Sequence, residues 1–342
     1  MKAVVTGATG HLGNVLVRAL LERGEAVRAV LAPGEDARPL DGLPVERVEG
    51  DVRSPEAMVR CFEGARDVFH LAGIVSISQG QEALMEAVNV GGTRNVLEAA
   101  KKVGARRLIY VGSIHALATP PGLTLDETAG FDVGRVVGAY GKTKAQASNL
   151  VQRAAAQLDT VLVLPTGVLG PYDYRLSEMG QLLRALAQQR VPCLLPGGHE
   201  WLDVRDFASG TLAAAERGRR GEAYLLNGEW RSLQDLARLV HDETGARVPP
   251  LLPLALARLL TGPALAWEKL TSQRSLLTPY ALEAVSAPFR VDDGKARREL
   301  GHRSRPMAET VHDALRWFAE NETARRVGPG RKQRLAHAEV RT

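Results

Sequence analysis

The sequence predicts a doubly wound α/β protein: a parallel sheet covered by helices on both faces, with a smaller α/β cap toward the C-terminus. Three observations carry this expectation. The chain opens with Ala3-Val4-Val5, a continuous apolar run suited to a central parallel strand, followed by Gly7, Gly10 and Gly13 and then by Leu12, Val15, Leu16, Ala19 and Leu20 at helical period up to Gly24. Short apolar strands and amphipathic helices then alternate through residue 165, which demands right-handed crossovers and a parallel sheet. Beyond that point the alternation loosens into helices and brief strands, the pattern of a cap on the sheet's C-terminal edge.

Taken in order, the first strand, glycine turn and helix form a Rossmann-type unit. Its glycines let the backbone approach a pyrophosphate, and the free N–H groups of the helix start stabilise that charge. Ala26 to Leu31 reads as the second strand. An acidic side chain at its end would bind the adenosine ribose and select NAD. The chain has Leu31, Ala32, Pro33 and Gly34 there, with Glu35 and Asp36 slightly late and Arg28 and Arg38 nearby. That pattern points to NADP, with NAD as the alternative.

Val45 to Val48 is the third strand, and Asp51 beyond it either meets an adenine amino group or, with Ser54 and Pro55, opens the helix over 54–63. Asp67 to Ala72 is the fourth strand, Leu84 to Val103 a long helix, and Arg106 to Val111 the fifth strand, ending at Gly112-Ser113. A helix starts near Gly138, and Val161 to Leu164 forms the sixth strand before Pro165-Thr166-Gly167. Helices follow near 175–189, 206–217, 232–244, 254–260, 264–271 and 306–320, with short strands near 191–195 and 222–227. The domain reading is 2–170 with part of 196–230 for the nucleotide body, 171–195 and 231–322 for the cap, and 323–342 for a basic, flexible tail.

Composition excludes several function classes. The formal charge of +5 equals the excess in the tail alone, where Arg325, Arg326, Arg331, Lys332, Arg334 and Arg341 face Glu339, so the body gives nucleic acid no basic surface. Cys61 and Cys193 are too far apart for a metal quartet or redox pair and read as reduced core thiols. Leu251 to Trp267 is apolar but broken by Pro253, Arg258, Gly262 and Pro263, too short to span a bilayer. With no signal segment ahead of the first strand, a cytoplasmic location is expected, and no metal site.

The chemistry is expected at Ser113, Tyr140 and Lys144. A tyrosine with a pKa of about 10 is a poor base at neutral pH. An ammonium one helical turn away and a helix N-terminus both favour the phenolate, and Tyr140 and Lys144 share one helix face. Tyr140 could then exchange a hydroxyl proton while a nicotinamide exchanges hydride. Ser113, at a strand end beside the crevice, could hydrogen-bond the same oxygen.

With these residues in place, the chain resembles the extended short-chain dehydrogenase/reductase superfamily, the NAD-dependent epimerase/dehydratase proteins. The resemblance rests on Thr6-Gly7-Ala8-Thr9-Gly10-His11-Leu12-Gly13, Asp51-Val52, His70-Leu71-Ala72-Gly73, Asn89-Val90-Gly91-Gly92-Thr93, Tyr110-Val111-Gly112-Ser113, Tyr140-Gly141-Lys142-Thr143-Lys144 and Pro165-Thr166-Gly167-Val168. Val204-Arg205-Asp206 and Ala296 to Gly301 resemble its cap signatures, and coverage is roughly 2–320. Within the family the dihydroflavonol reductase-like branch is the most similar. The resemblance implies that Ser113, Tyr140 and Lys144 form the catalytic triad, with Asn89 positioning Lys144 through a water. It implies that Gly7, Thr9, Gly10, His11, Leu12 and Gly13 hold the pyrophosphate, Asp51 and Val52 the adenine, and Leu71, Ala72 and Gly73 the adjoining ribose and phosphate. Pro165, Thr166, Gly167 and Val168 would border the nicotinamide, beside the ribose contact of Lys144. Two positions depart from the family: Ala32, where relatives favouring NADP have arginine, and Gly112, where a second serine is common, a change expected to loosen the catalytic loop.

The leading expectation is reduction of a ketone, or oxidation of a secondary alcohol, on a small-molecule substrate. A nucleotide-sugar epimerase or dehydratase is the alternative, with Arg175, Arg205 and Arg274 as cations for a diphosphate. A non-catalytic dinucleotide sensor is the third reading, and it would predict a damaged triad. By resemblance, helices 84–103 and 138–158 lie where two subunits pair, giving a homodimer.

Overall fold

A computed structural model describes residues 2–75, 80–118, 124–259, 262 and 290–336, with side chains described as far as 321. Seven parallel strands form the main sheet: β1 (Lys2–Thr6), β2 (Val27–Leu31), β3 (Glu46–Glu49), β4 (Ala65–His70), β5 (Arg107–Val111), β7 (Thr160–Pro165) and β10 (Ala223–Leu226), in the order β3-β2-β1-β4-β5-β7-β10. The order reverses between β1 and β4, so a crevice opens at the carboxyl ends of these two strands, the place where doubly wound sheets bind ligands.

Side chains alternate along each strand and so feed two cores. Val4, Val68, Leu108 and Leu162 face one layer, and Val5, Phe69, Ile109 and Val163 the other. The first layer is closed by α2 (Pro55–Phe62), α4 (Thr93–Lys102) and α5 (Ala139–Ala154), and the second by α1 (His11–Glu22) and α7 (Val204–Arg217). Between α3 (Glu82–Met85) and α4 the helix widens into a π-helical turn over Glu86–Gly92. The long helix expected over 84–103 is thus present but interrupted.

Past β7 the chain leaves the main sheet. β8 (Gly167–Leu169) pairs with β9 (Gly198–Asp203), which pairs antiparallel with β11 (Glu229–Ser232). With α6 (Glu178–Ala187), α8 (Leu233–Thr244) and α10 (Met307–Ala336) this small sheet encloses a third core around Leu169, Trp201, Leu236 and Trp317. A two-stranded pairing joins β6 (Thr124–Leu125) to β12 (Arg290–Val291).

Several expectations shift. The strand near 191–195 reduces to one bridge between Leu194 and Leu251, while β9 and β11 went unforeseen because their sequences are short and charged. α9 (Gly294–Leu300), assigned to the cap, instead buries Ala296 and Leu300 in the nucleotide body's second core. α10 runs on through residues expected as a flexible tail as far as Ala336. The segment 264–271 and Arg274 lie outside the described residues.

Candidate functional site

The glycine turn is a cradle that a Cβ would fill. Gly7 has φ +68°, and a Cβ on it would stand 2.7 Å from Ala72 N; one on Gly13 would stand 2.0 Å from Gly7 O. These glycines let β1, the turn and the β4 end close on one another. α1 starts at Gly10 with no side-chain cap and no acid in its first turn. The N–H groups of His11, Leu12 and Gly13 precede the first helical bond, from Asn14 N to Gly10 O, and so remain available to an anion. The residues present fit a dinucleotide's pyrophosphate.

The His11 side chain does something else. Its Nε2 lies 3.0 Å from Pro171 O. A carbonyl only accepts, so Nε2 carries the hydrogen, and the buried Nδ1 has no partner among the described residues. Asn14 Nδ2 reaches Tyr172 O at 3.1 Å and Arg18 lies over the Tyr172 ring. The loop after β8 is therefore strapped across the turn, and it carries two left-handed non-glycine residues, Tyr172 (φ 67°) and Leu176 (φ 54°).

At the adenosine end, Asp51 is gripped by Arg53, whose hydrogen bonds hold its carboxyl below the ordinary carboxylate range despite partial burial. Ser54, not Asp51, caps α2, and Pro55 occupies its first turn. Val52 is buried, its carbonyl accepts from Asn95, and a Cβ on Gly92 would strike its side chain at 2.7 Å. Arg28 proves structural: it pairs with Glu46 and donates to the carbonyls of Cys61 and Glu63, at the end of β2 away from the crevice. Arg38 pairs with Asp36 in solvent. The premise for NADP was a strand end without a carboxylate. Glu35 puts one there, because Pro33-Gly34 form a turn closed by Glu35 N to Ala32 O, with Gly34 at φ +71°.

Leu71 and Ala72 continue from β4 beside β1, through bonds from Leu71 N to Thr6 O and from Ala72 N to the Thr6 hydroxyl. Thr6 Oγ1 accepts from Ala72, and Thr93 donates to Asn89 O, so His70 between them accepts at Nδ1 and donates at Nε2. Complete burial keeps this imidazole neutral, with its pKa lowered to about 3. It acts as a fixed strut under the crevice.

Ser113 and Lys144 converge on the end of β5. Ser113 is buried and accepts the N–H of His115. Lys144 Nζ donates to Val111 O at 2.9 Å and lies 5.1 Å from the Tyr110 ring centre. Burial pulls its pKa down to about 8. Tyr140, one turn earlier on α5, is half-buried. A Cβ at Gly73 would sit 3.2 Å from Asn89 Oδ1 and 3.6 Å from Lys144 Nζ, so Gly73 leaves the space between these two open. Asn89 itself is fixed by both backbone groups of Ile74 and by the Thr143 hydroxyl. Gly112 does not loosen the loop: a Cβ there would meet Leu164 Cδ2 at 2.5 Å, so the leucine occupies the space a serine would take. Pro165 to Val168 carry the crossing from the main sheet to the small one, with Thr166 N bonded to Leu226 O and its buried hydroxyl unpartnered among the described residues.

Two residues at this site went unforeseen. His115 sets its ring 6.2 Å from that of Tyr140, and His199 on β9 packs on Trp201. Burial lowers the pKa of His199, whereas the His115 side chain stays exposed. Single histidines have no spacing signal, so sequence could not single them out. Of the cap cations, Arg205 is held by Asp203 and Asp313, while Arg175 reaches Glu35 and Thr9. Among the described residues no cluster of three metal-ligating side chains occurs, and no helix is long and apolar enough to cross a membrane.

Comparison with known proteins agrees with this fold. The profile of the NAD dependent epimerase/dehydratase family matches residues 3–226. Sterol demethylase protein B of Methylococcus capsulatus is 34% identical over 332 residues, spanning 94% of this chain and 99% of its own. A putative dihydroflavonol 4-reductase of Synechocystis is 33% identical over 330 residues, spanning 92% of this chain and 93% of its own. The crystal structure of gox2253 superposes with a TM-score of 0.82 at 31% identity, covering 94% of this chain and 98% of that one.

Proposed function

This chain belongs to the NAD-dependent epimerase/dehydratase family, and on that premise we propose that it reduces a ketone, or oxidises the corresponding secondary alcohol, on a medium-sized organic substrate. The observation that carries the reading is the buried Lys144 ammonium, anchored to the strand end that leads to Ser113 and one helical turn from Tyr140.

The glycine turn and the first N–H groups of α1 would hold the pyrophosphate, Val52 the adenine, and Pro165 to Val168 the nicotinamide side of the crevice. A bound nicotinamide dinucleotide supplies or accepts hydride. Tyr140 gives a proton to the carbonyl oxygen, or takes one from the alcohol. Ser113 hydrogen-bonds that oxygen, and the Lys144 ammonium favours the phenolate left behind. Val111 O holds Lys144 from below, and Asn89, pinned by Ile74 and Thr143, keeps the Gly73 side open.

The relative named a putative dihydroflavonol 4-reductase supports carbonyl chemistry. The epimerase alternative needs cap cations for a diphosphate, and the engagement of Arg205 with Asp203 and Asp313 counts against it. We infer further that the outer faces of α4 and α5 pair two subunits, which light scattering would check through the mass. The mechanism is tested by Tyr140→Phe. Dinucleotide binding is expected to persist while turnover falls by about 10²- to 10⁴-fold; full turnover would remove Tyr140 from the reaction.

A further inference from the structure

Five buried side chains beneath the crevice, Thr6, His70, Thr93, Asn89 and Thr143, form one directed chain of hydrogen bonds. It starts beside the glycine turn, where Ala72 N–H donates to the Thr6 hydroxyl at 3.3 Å. Thr6 donates in turn to His70 Nδ1 at 2.8 Å, and His70 Nε2 donates to the Thr93 hydroxyl at 3.0 Å. Thr93 gives its hydrogen to Asn89 O at 2.6 Å. From the Asn89 side chain, Nδ2 donates to the Thr143 hydroxyl at 3.1 Å, and that hydroxyl donates to Tyr140 O at 2.9 Å.

The direction is fixed at both ends and in the middle. Backbone N–H groups only donate and carbonyls only accept, and each hydroxyl has one hydrogen to give. Ile74 N–H donates to Asn89 Oδ1 at 2.8 Å, which sets the amide so that Nδ2 faces Thr143. A buried hydroxyl or amide left without its partner is costly, so each link holds its neighbour in one rotamer.

The chain ends on a turn that lacks the usual terminal restraints. α5 starts after Gly138, at φ 77° and ψ 153°, with no side-chain cap and no acid in its first turn. Tyr140 lies in that turn. It is gripped from two sides instead: a Cβ on Gly141 would stand 2.7 Å from His115 O, and Thr143 ties Tyr140 O to Asn89. His70, wholly buried, holds the far end of the same tether through Thr93.

Resting on the oxidoreductase reading above, we propose that His70 and Thr143 are positioning residues, which through Asn89 fix the turn presenting Tyr140 and tie it to Ala72 beside the glycine turn. Full-length variants test this, with thermal melting to confirm folding, fluorescence titration for NADH and NADPH affinity, and turnover on the best of a panel of aryl ketones. Thr143→Val keeps the volume and removes the hydroxyl; His70→Leu removes both ring nitrogens. Each should lower kcat about 10- to 100-fold, the scale of a reacting group displaced by about 1 Å, while KM and dinucleotide affinity stay within about twofold. Thr143→Ser and His70→Gln, which can remake the bonds, should recover most of kcat. Because the links act in series, His70→Leu should cost less than about twofold when added to Asn89→Ala. Nitrogen-15 NMR of the wild-type His70 ring should find its hydrogen on Nε2 alone. Thr143→Val carries the test by itself if His70→Leu does not fold. Unchanged kcat in Thr143→Val, losses of affinity and kcat that match, full additivity with Asn89→Ala, or a hydrogen on Nδ1 would overturn the proposal. Failure of wild type to bind either dinucleotide or to turn over any ketone would overturn the functional reading itself.

Discussion

Replacing Lys144 by methionine should make the protein more stable and inactive. Burial lowers the Lys144 pKa from 10.5 to about 8, a cost to the folded protein of about 3 kcal/mol at 1.36 kcal/mol per pKa unit. Below pH 8 the ammonium is charged both folded and unfolded, so that cost is present in full. Between about 8 and 10.5 the unfolded chain keeps a proton that the folded protein has released, so stability rises with pH across that window. The methionine variant would carry no such cost but would forfeit the bond to Val111 O, worth about 1 kcal/mol. The net gain at pH 7 is about 2 kcal/mol, or about 3 °C in Tm for a chain of this length. At about pH 9.5 the wild-type protein has recovered about 2 kcal/mol and the advantage should vanish. Calorimetry of both proteins at the two pH values measures it. A destabilised variant at pH 7, or an equal gain at both pH values, would refute the placement of a charged, desolvated Lys144.

Further expectations follow from the packing. Gly112→Ser should cost about 1–3 kcal/mol because Leu164 fills the space its Cβ needs; by chemical denaturation, the same substitution should cost less when added to Leu164→Ala than when added to wild type. Asp203, buried beneath Arg205 and Arg305, keeps its carboxyl below the usual value because the Arg205 bonds outweigh the opposing burial. It therefore stabilises above the unfolded pKa of about 4 and ceases to as pH falls through its folded value. Asp203→Asn should cost about 3 kcal/mol at pH 7 and flatten the acid limb of a stability–pH curve; an unchanged limb would place that limb elsewhere.

Much of this was legible in the sequence, for physical reasons. The central strands are continuous apolar runs because both faces of a parallel sheet are buried, and the glycine spacing reports close approaches that admit no Cβ. Ser113, Tyr140 and Lys144 stood out as candidates because their helix and strand contexts did, while Asn89 entered only through the resemblance to the family. The second sheet was not: His199, Glu200 and Asp203 give β9 a charged pattern, and only Trp201 and Leu202, which enter different cores from opposite faces, betray its burial. Glu35 was misread by counting along the chain. Its distance from β2 is undone by a proline–glycine turn whose signature was present. Arg28 was named only for its nearness in sequence to the strand end, but it stands at the amino end of β2, opposite the crevice. His115 and His199 come together only through tertiary packing.

The π-helical turn over Glu86–Gly92 has an evolutionary reading. Such a turn holds one more residue than the α-helical path it interrupts, and here it contains Asn89, bonded to Ile74 and Thr143. Deleting a single residue within it would restore a continuous helix and swing the positions on one side by about 100° relative to the other. Asn89 would then leave Thr143 or α4 would leave its seat on the sheet. Loss of the turn by a single deletion would therefore break either the site or the core.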